Sequence, residues 1–247
     1  MAITLTMLIL GLLLGFVGAG GSGFIIALLT VVFGVPIHTA LGTSLAAMVF
    51  TTLSGAYSHY QQGNIDLKTG LAVGGFGAVT AYLGSLIAVW IPVNLLHWLT
   101  AGMLFLSAVM LMVRLFIINK IDRNHNLSKR KALFVRSAIV GIVCGVLSGT
   151  FGIGSTPFIQ IGLLTILGLS VQKSVGTTML VILPIALAGG VGYYFEGYLD
   201  FLLLLQVLAG TMVGSYIGAK FTNYVPLPIL KSAMVLTPVI AGTILLF

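Results

Sequence analysis

The chain has 247 residues, of which 6% are Asp, Glu, Lys or Arg and 59% are hydrophobic, and its mean hydropathy is +1.19. Soluble domains carry roughly 25% charged residues, so this composition excludes a water-soluble globular protein and points to a chain immersed in a bilayer. The formal charge of +7 does not indicate nucleic acid: seven of the eleven basic residues fall between Arg114 and Arg136, in a polar segment that also holds Asp122, Asn124, His125 and Asn126, and such a basic loop is a topology anchor.

In chain order, an apolar run over 3–18 comes first. No basic residue precedes it and no small-residue cleavage pattern follows it, so it reads as a mature segment and not as a signal peptide. A break, Gly18-Ala19-Gly20-Gly21-Ser22-Gly23, leads into a short apolar stretch over 24–35 and then three long segments near 39–61, 67–90 and 93–118. The basic segment 119–134 is expected to be a cytoplasmic loop. Beyond it the series returns, with an apolar run over 135–151, the break Gly152-Ile153-Gly154-Ser155-Thr156-Pro157, a short stretch over 158–169, and long segments near 173–195, 200–220 and 227–247. The single cysteine, Cys144, lies inside an apolar run and reads as a packing residue.

Sliding the sequence on itself by 134 positions pairs Gly11 with Gly145, Gly15 with Gly149, Gly18 with Gly152, Gly20 with Gly154 and Phe24 with Phe158. The register continues without a gap through Gly34/Gly168, Gly42-Thr43/Gly176-Thr177, Gly63/Gly197, Asp66/Asp200 and Pro92/Pro226. The chain therefore reads as two membrane repeats, 1–118 and 135–247, within one integrated domain. An odd number of crossings per copy inverts the second. With the basic loop inside, inversion puts Lys68, Lys173, Lys220 and Lys231 at the cytoplasmic face and the turn Glu196-Gly197-Tyr198-Leu199-Asp200 outside. The expected fold is an all-α integral membrane protein of two inverted-topology repeats, each with three long transmembrane helices preceded by a Gly-broken helix pair, in about eight to ten hydrophobic segments. Inverted repeats are the signature of secondary transporters, whose two halves exchange packings around one central site.

The short stretch after each break is too short to cross the hydrocarbon core, so it reads as a half-helix starting near the membrane middle. Ser22 and Thr156 are expected N-caps, and Pro157 suits the first helical position. Helix starts offer free N–H groups and a positive dipole end, which makes Gly20, Gly21, Ser22, Gly23, Gly154, Ser155 and Thr156 candidate contacts for an anion. The bland reading is that glycines merely permit close packing; it is preferred for Gly11-x-x-x-Gly15, Gly145-x-x-x-Gly149 and Gly210-x-x-x-Gly214-x-x-x-Gly218. Thr43-Ser44 and Thr177-Thr178 stand at equivalent places at the start of long segments, where their hydroxyls either add donors to the anion or bond backward to helix carbonyls. His38, His59, His97 and Glu196 are the titratable groups near span ends and the candidates for proton coupling.

The paired Gly-x-x-x-Gly-x-x-Gly-x-Gly runs, the following Gly42-Thr43-Ser44 and Gly176-Thr177-Thr178, and the two-copy layout resemble the sulfite exporter TauE/SafE family over nearly the whole chain. The resemblance implies a multi-pass permease of the bacterial plasma membrane, for sulfite, sulfonates or related sulfur anions. Family members usually show Gly-Ile-Gly-Gly-Gly and then a proline in each copy; here the first copy lacks the proline, and Ser155 and Thr156 replace glycines in the second.

Two other functions compete with a carrier. A passive channel is compatible with the same pore chemistry. An intramembrane serine protease is suggested by Gly20-Gly21-Ser22-Gly23, but neither His59 nor His97 has the sequence context of its base. The expected partners are a small anionic substrate and the lipid bilayer, with a homodimer left open; no cofactor, metal site or nucleic acid is expected.

Overall fold

A computed structural model describes residues 2–17, 22–117, 130–152 and 155–246, and all its regular structure is helical. The helices are α1 (Ala2–Val17), α2 (Ser22–Ala27, continued by a π-helical turn over Leu28–Val32), α3 (Ile37–Gln61), α4 (Leu67–Val89) and α5 (Val93–Met112, with a π-helical turn over Val113–Ile117). The second copy supplies α6 (Arg130–Phe151), α7 (Ser155–Thr165), α8 (Val171–Phe195), α9 (Phe201–Phe221) and α10 (Leu227–Leu246). Among the described residues, α3, α4, α5, α6, α8, α9 and α10 are long and apolar enough to cross a membrane. The protein is thus an all-α, multi-pass membrane protein. The 11 residues of α7 rise about 16 Å, roughly half the hydrocarbon core.

The elements start and stop where local chemistry directs. Asp66 and Asp200 cap α4 and α9, their side chains accepting the N–H groups of Thr69 and Leu203 at 3.1 and 2.9 Å. Left-handed backbone occurs at equivalent positions in both copies, Gly34 and Gly168 (φ 67° and 69°) and Gly63 and Gly197 (φ 71° and 78°), a conformation that glycine adopts without the strain other side chains bring. The segment read as a loop over 119–134 is corrected at its end, because α6 already begins at Arg130.

Tertiary packing follows the glycines. Gly11 and Gly15 of α1 meet Thr211 and Ser215 of α9, and Gly210, Gly214 and Gly218 of α9 meet Thr4, Leu8 and Leu12 of α1. In the other half, Gly141, Gly145 and Gly149 of α6 meet Val73, Gly77 and Ala81 of α4. The four-residue-spaced glycines are therefore packing devices that let backbones touch. The order of contacts shows that α1 runs parallel to α9 and α6 parallel to α4.

Helices α3 and α8 form the centre: 67% of each apolar window is buried, against 39% for α4, α5, α9 and α10. They run antiparallel, with Gly42 at the start of α3 against Tyr198 beyond the end of α8, and Gly176 at the start of α8 against Asn64 beyond the end of α3. Positions 42 and 176 are equivalent, as are 64 and 198 (176 − 42 = 198 − 64 = 134). These two contacts between copies are thus counterparts with the copies exchanged. Because α4 runs parallel to α8 (Gly70 against Leu180, Gly74 against Pro184) and α9 turns back from α8, the residues Lys68, Lys173, Lys220 and Lys231 all stand at one end of the bundle and Glu196 at the other.

Candidate functional site

Gly20, Gly21 and Gly154 lie outside the described residues. Ser22 and Ser155 are the first residues of α2 and α7, and Gly23 is buried in α2. The expected caps are corrected accordingly: Ser22 is already helical, and Thr156 and Pro157 lie within the first turn of α7, which starts at Ser155. Pro157 is tolerated there because first-turn N–H groups have no intrahelical partner.

The four hydroxyls at the starts of α3 and α8 are fully buried, and all have protein partners. Ser44 Oγ donates to the Leu41 carbonyl at 2.9 Å and Thr178 Oγ1 to the Ser174 carbonyl at 2.7 Å, both backward along their own helix. Thr43 Oγ1 accepts the N–H of Asp200 at 3.4 Å, and Thr177 Oγ1 accepts that of Asp66 at 3.0 Å. Each threonine thereby ties down the turn that starts a long helix of the opposite copy.

The last turn of α1 has carbonyls with no intrahelical partner, and three side chains from three other helices supply donors. His59 Nε2 of α3 lies 3.3 Å from the Gly15 oxygen, Thr222 Oγ1 at the end of α9 donates to Phe16 at 3.0 Å, and Gln160 Nε2 of α7 donates to Val17 at 3.1 Å. In the second copy Tyr193 OH donates to the Gly149 oxygen at 3.1 Å. Positions 59 and 193 are equivalent, and so are 15 and 149 (193 − 59 = 149 − 15 = 134). The two copies solve the same backbone problem with different side chains.

The breaks are interlocked. Gln160, from the half-helix of the second copy, holds the end of α1 ahead of the first break. Gly152, at the second break, lies so close to Leu41 and Ile26 that a Cβ there would come within 3.1 Å of the Ile26 side chain. Ile26 belongs to the half-helix of the first copy and is the equivalent of Gln160 (160 − 26 = 134). Equivalent positions of the two half-helices thus meet Val17, the residue before the first break, and Gly152 at the second.

The titratable candidates do not come together. His59 is fully buried beside the end of α1. His38 lies at the other end of α3, its Nε2 3.3 Å from the Ala88 oxygen and its ring 5.1 Å from that of Tyr198. His97 Nδ1 is 3.1 Å from the Val93 oxygen, beside a cavity of about 340 Å³ lined by Thr30, Val31, Trp98, Leu245 and Leu246. Glu196 is exposed at the end of α8. Among the described residues no group of three His, Cys, Asp or Glu is placed to hold a metal. Tyr193, Gln160 and Gln62 are site residues that the sequence reading did not single out.

The sequence profile of the sulfite exporter TauE/SafE family matches residues 3–245. The chain belongs to this family. A relative in Bacillus subtilis (strain 168), named "Probable membrane transporter protein YdhB", is 60% identical over 247 residues, covering 100% of both chains. A second protein of that organism, "Probable membrane transporter protein YjnA", is 27% identical over 95% of this chain and 96% of its own. A "Probable membrane transporter protein" of Methanocaldococcus jannaschii is 27% identical over 88% of this chain and 85% of its own. No solved structure matches. Membership of the TauE/SafE family agrees with a membrane transporter.

Proposed function

We propose that the protein is a secondary transporter that moves a small anion, sulfite, a sulfonate or a related sulfur-containing anion, across the plasma membrane by alternating access. The observation that carries this reading is that equivalent positions 26 and 160 of the two half-helices meet Gly152 at the second break and Val17 just ahead of the first. Two half-helices that start at such breaks present free N–H groups and positive dipole ends, a setting that binds an anion without a buried arginine. The described parts of α1 to α4 and of α7 to α10 contain no arginine. The antiparallel run of α3 and α8 supports an inverted-repeat carrier, since exchange of the two halves' packings turns an inward-open arrangement into an outward-open one.

The substrate class is tested with purified protein in liposomes challenged with sulfite, sulfate, thiosulfate and small sulfonates. A carrier saturates and shows counterflow with at least one of the sulfur anions. Unsaturable current far above carrier turnover would establish a channel instead, and no movement of any of these anions would overturn the substrate assignment.

A further inference from the structure

We propose that His59 and Gln62 form a proton-binding site that couples anion movement to protons, an inference that rests on the transporter reading above. Among the described residues, the buried side-chain nitrogens and oxygens without a hydrogen-bond partner are His59 Nδ1, Gln62 Oε1, Thr100 Oγ1 and Ser137 Oγ. The first two belong to residues three apart in the chain, His59 in the last turn of α3 and Gln62 at its C-cap. Both identities are fixed by their neighbours. His59 Nε2 faces the Gly15 carbonyl at 3.3 Å, so it carries the hydrogen, and Nδ1 of the neutral ring is an acceptor. Gln62 Nε2 faces the carbonyls of Ala219 at 2.9 Å and Ser58 at 3.2 Å, which only an N–H₂ group can satisfy, so Oε1 is the free end.

Neither of these buried acceptors has a donor, and one added hydrogen can serve both. A proton taken from water onto Nδ1 forms an N–H bond, makes the ring a cation and supplies the missing donor for Gln62 Oε1. Burial of the ring opposes that charge, and the helix ends around it favour it. Helices α1, α3 and α9 run parallel, as the successive pairs Thr51–Thr211, Ser54–Met212, Gln62–Ala219 and Asn64–Asn223 show for the last two, and all three end around His59. Three helix C-termini present their electronegative carbonyl ends there.

Charged groups on the surrounding elements do not substitute for the proton. Helix α1 has no titratable residue. On α9, Lys220 lies 4.4 Å over the ring of Tyr216, and on α8 Lys173 is exposed. At the start of α4, Lys68 is exposed and the Asp66 carboxylate accepts the Thr69 N–H. On α3 itself Tyr60 is exposed, and the half-helix α7 contributes Gln160, which does not titrate. The second copy has Tyr193 and Glu196 at the positions of His59 and Gln62 (193 − 59 = 196 − 62 = 134). Only the first copy carries an imidazole, so one proton per turnover is the expected stoichiometry.

The test has two independent readouts on the full chain. ¹⁵N-histidine NMR in lipid nanodiscs, with His38, His97 and His125 replaced by Gln, should show His59 passing from the Nε2–H neutral tautomer to the doubly protonated ring as the pH is lowered from about 8. In liposomes, methanesulfonate, which stays ionised throughout, should accumulate on the alkaline side about tenfold per pH unit, the ratio for one proton per monovalent anion. His59→Tyr retains a donor for the Gly15 carbonyl, as Tyr193 serves Gly149, and should reduce that accumulation ratio to one. A ring that stays neutral throughout, or undiminished accumulation in His59→Tyr, overturns the proposal. If wild-type protein moves neither methanesulfonate nor sulfite, the transport reading fails, and the NMR titration alone decides the proton site.

Discussion

Replacing Gly149 by Ala tests whether backbone contact between α4 and α6 holds the second half together. A Cβ at Gly149 would lie 2.8 Å from the Ala81 carbonyl carbon and 2.9 Å from the Ser85 nitrogen, where ordinary contacts begin at 3.4 Å. The helices must therefore separate by at least 0.6 Å (3.4 − 2.8). The obstacles are backbone atoms that cannot rotate away, so the cost falls at the upper end of overpacking, about 3 kcal/mol. Helix propensity returns about 1 kcal/mol for Gly to Ala. The net loss of about 2 kcal/mol lowers the melting temperature by about 4 to 8 °C for a chain of this size. Cys144 supplies the assay, being the single cysteine and 3% exposed on α6, so a thiol-reactive dye reports unfolding in detergent. Gly75→Ala on α4, with no atom within 4 Å of the new Cβ, should not lower the midpoint. An unchanged midpoint for Gly149→Ala would refute the close-contact account.

Tyr193→Phe leaves the buried Gly149 carbonyl without its donor and should cost about 1 to 3 kcal/mol in the same dye assay. Asp66→Ala and Asp200→Ala each remove a helix cap worth about 1 kcal/mol, and the equivalence of the two caps predicts similar shifts in midpoint. Thr177→Val removes the acceptor of the Asp66 N–H and should cost about 1 kcal/mol of stability, measured the same way. Single cysteines at positions 4, 124, 197 and 223 in a Cys144→Ser background should label from outside, inside, outside and inside; labelling of 124 and 197 from one side would contradict the inverted arrangement.

The long helices were legible because composition and the 134-residue offset act along the chain: expected segments at 39–61, 67–90, 173–195 and 200–220 appear as α3, α4, α8 and α9 within a few residues. The half-helices were legible from their length and the glycines ahead of them. What the sequence concealed lies between copies. Thr43 and Thr177 read as donors to an anion because both copies keep them; their oxygens also accept the N–H groups of Asp200 and Asp66, residues equally well matched by the offset. Two matched pairs at the same spacing were the available signal. His59 and Tyr193 escaped a search for identities, because each satisfies the same carbonyl with different chemistry. The expected caps Ser22 and Thr156 are already helical, since helix ends vary by a residue or two against what local sequence suggests.

The central claim, that both breaks form one anion path, is tested most directly by counterflow of a sulfur anion in liposomes containing wild type, Gly21→Val or Ser155→Val. Each substitution adds bulk where a half-helix start would offer its N–H groups. Both variants should lose counterflow while Cys144 remains protected from the dye up to the wild-type melting temperature. Wild-type counterflow in both folded variants would contradict the account, and the anion path would then have to lie away from the breaks.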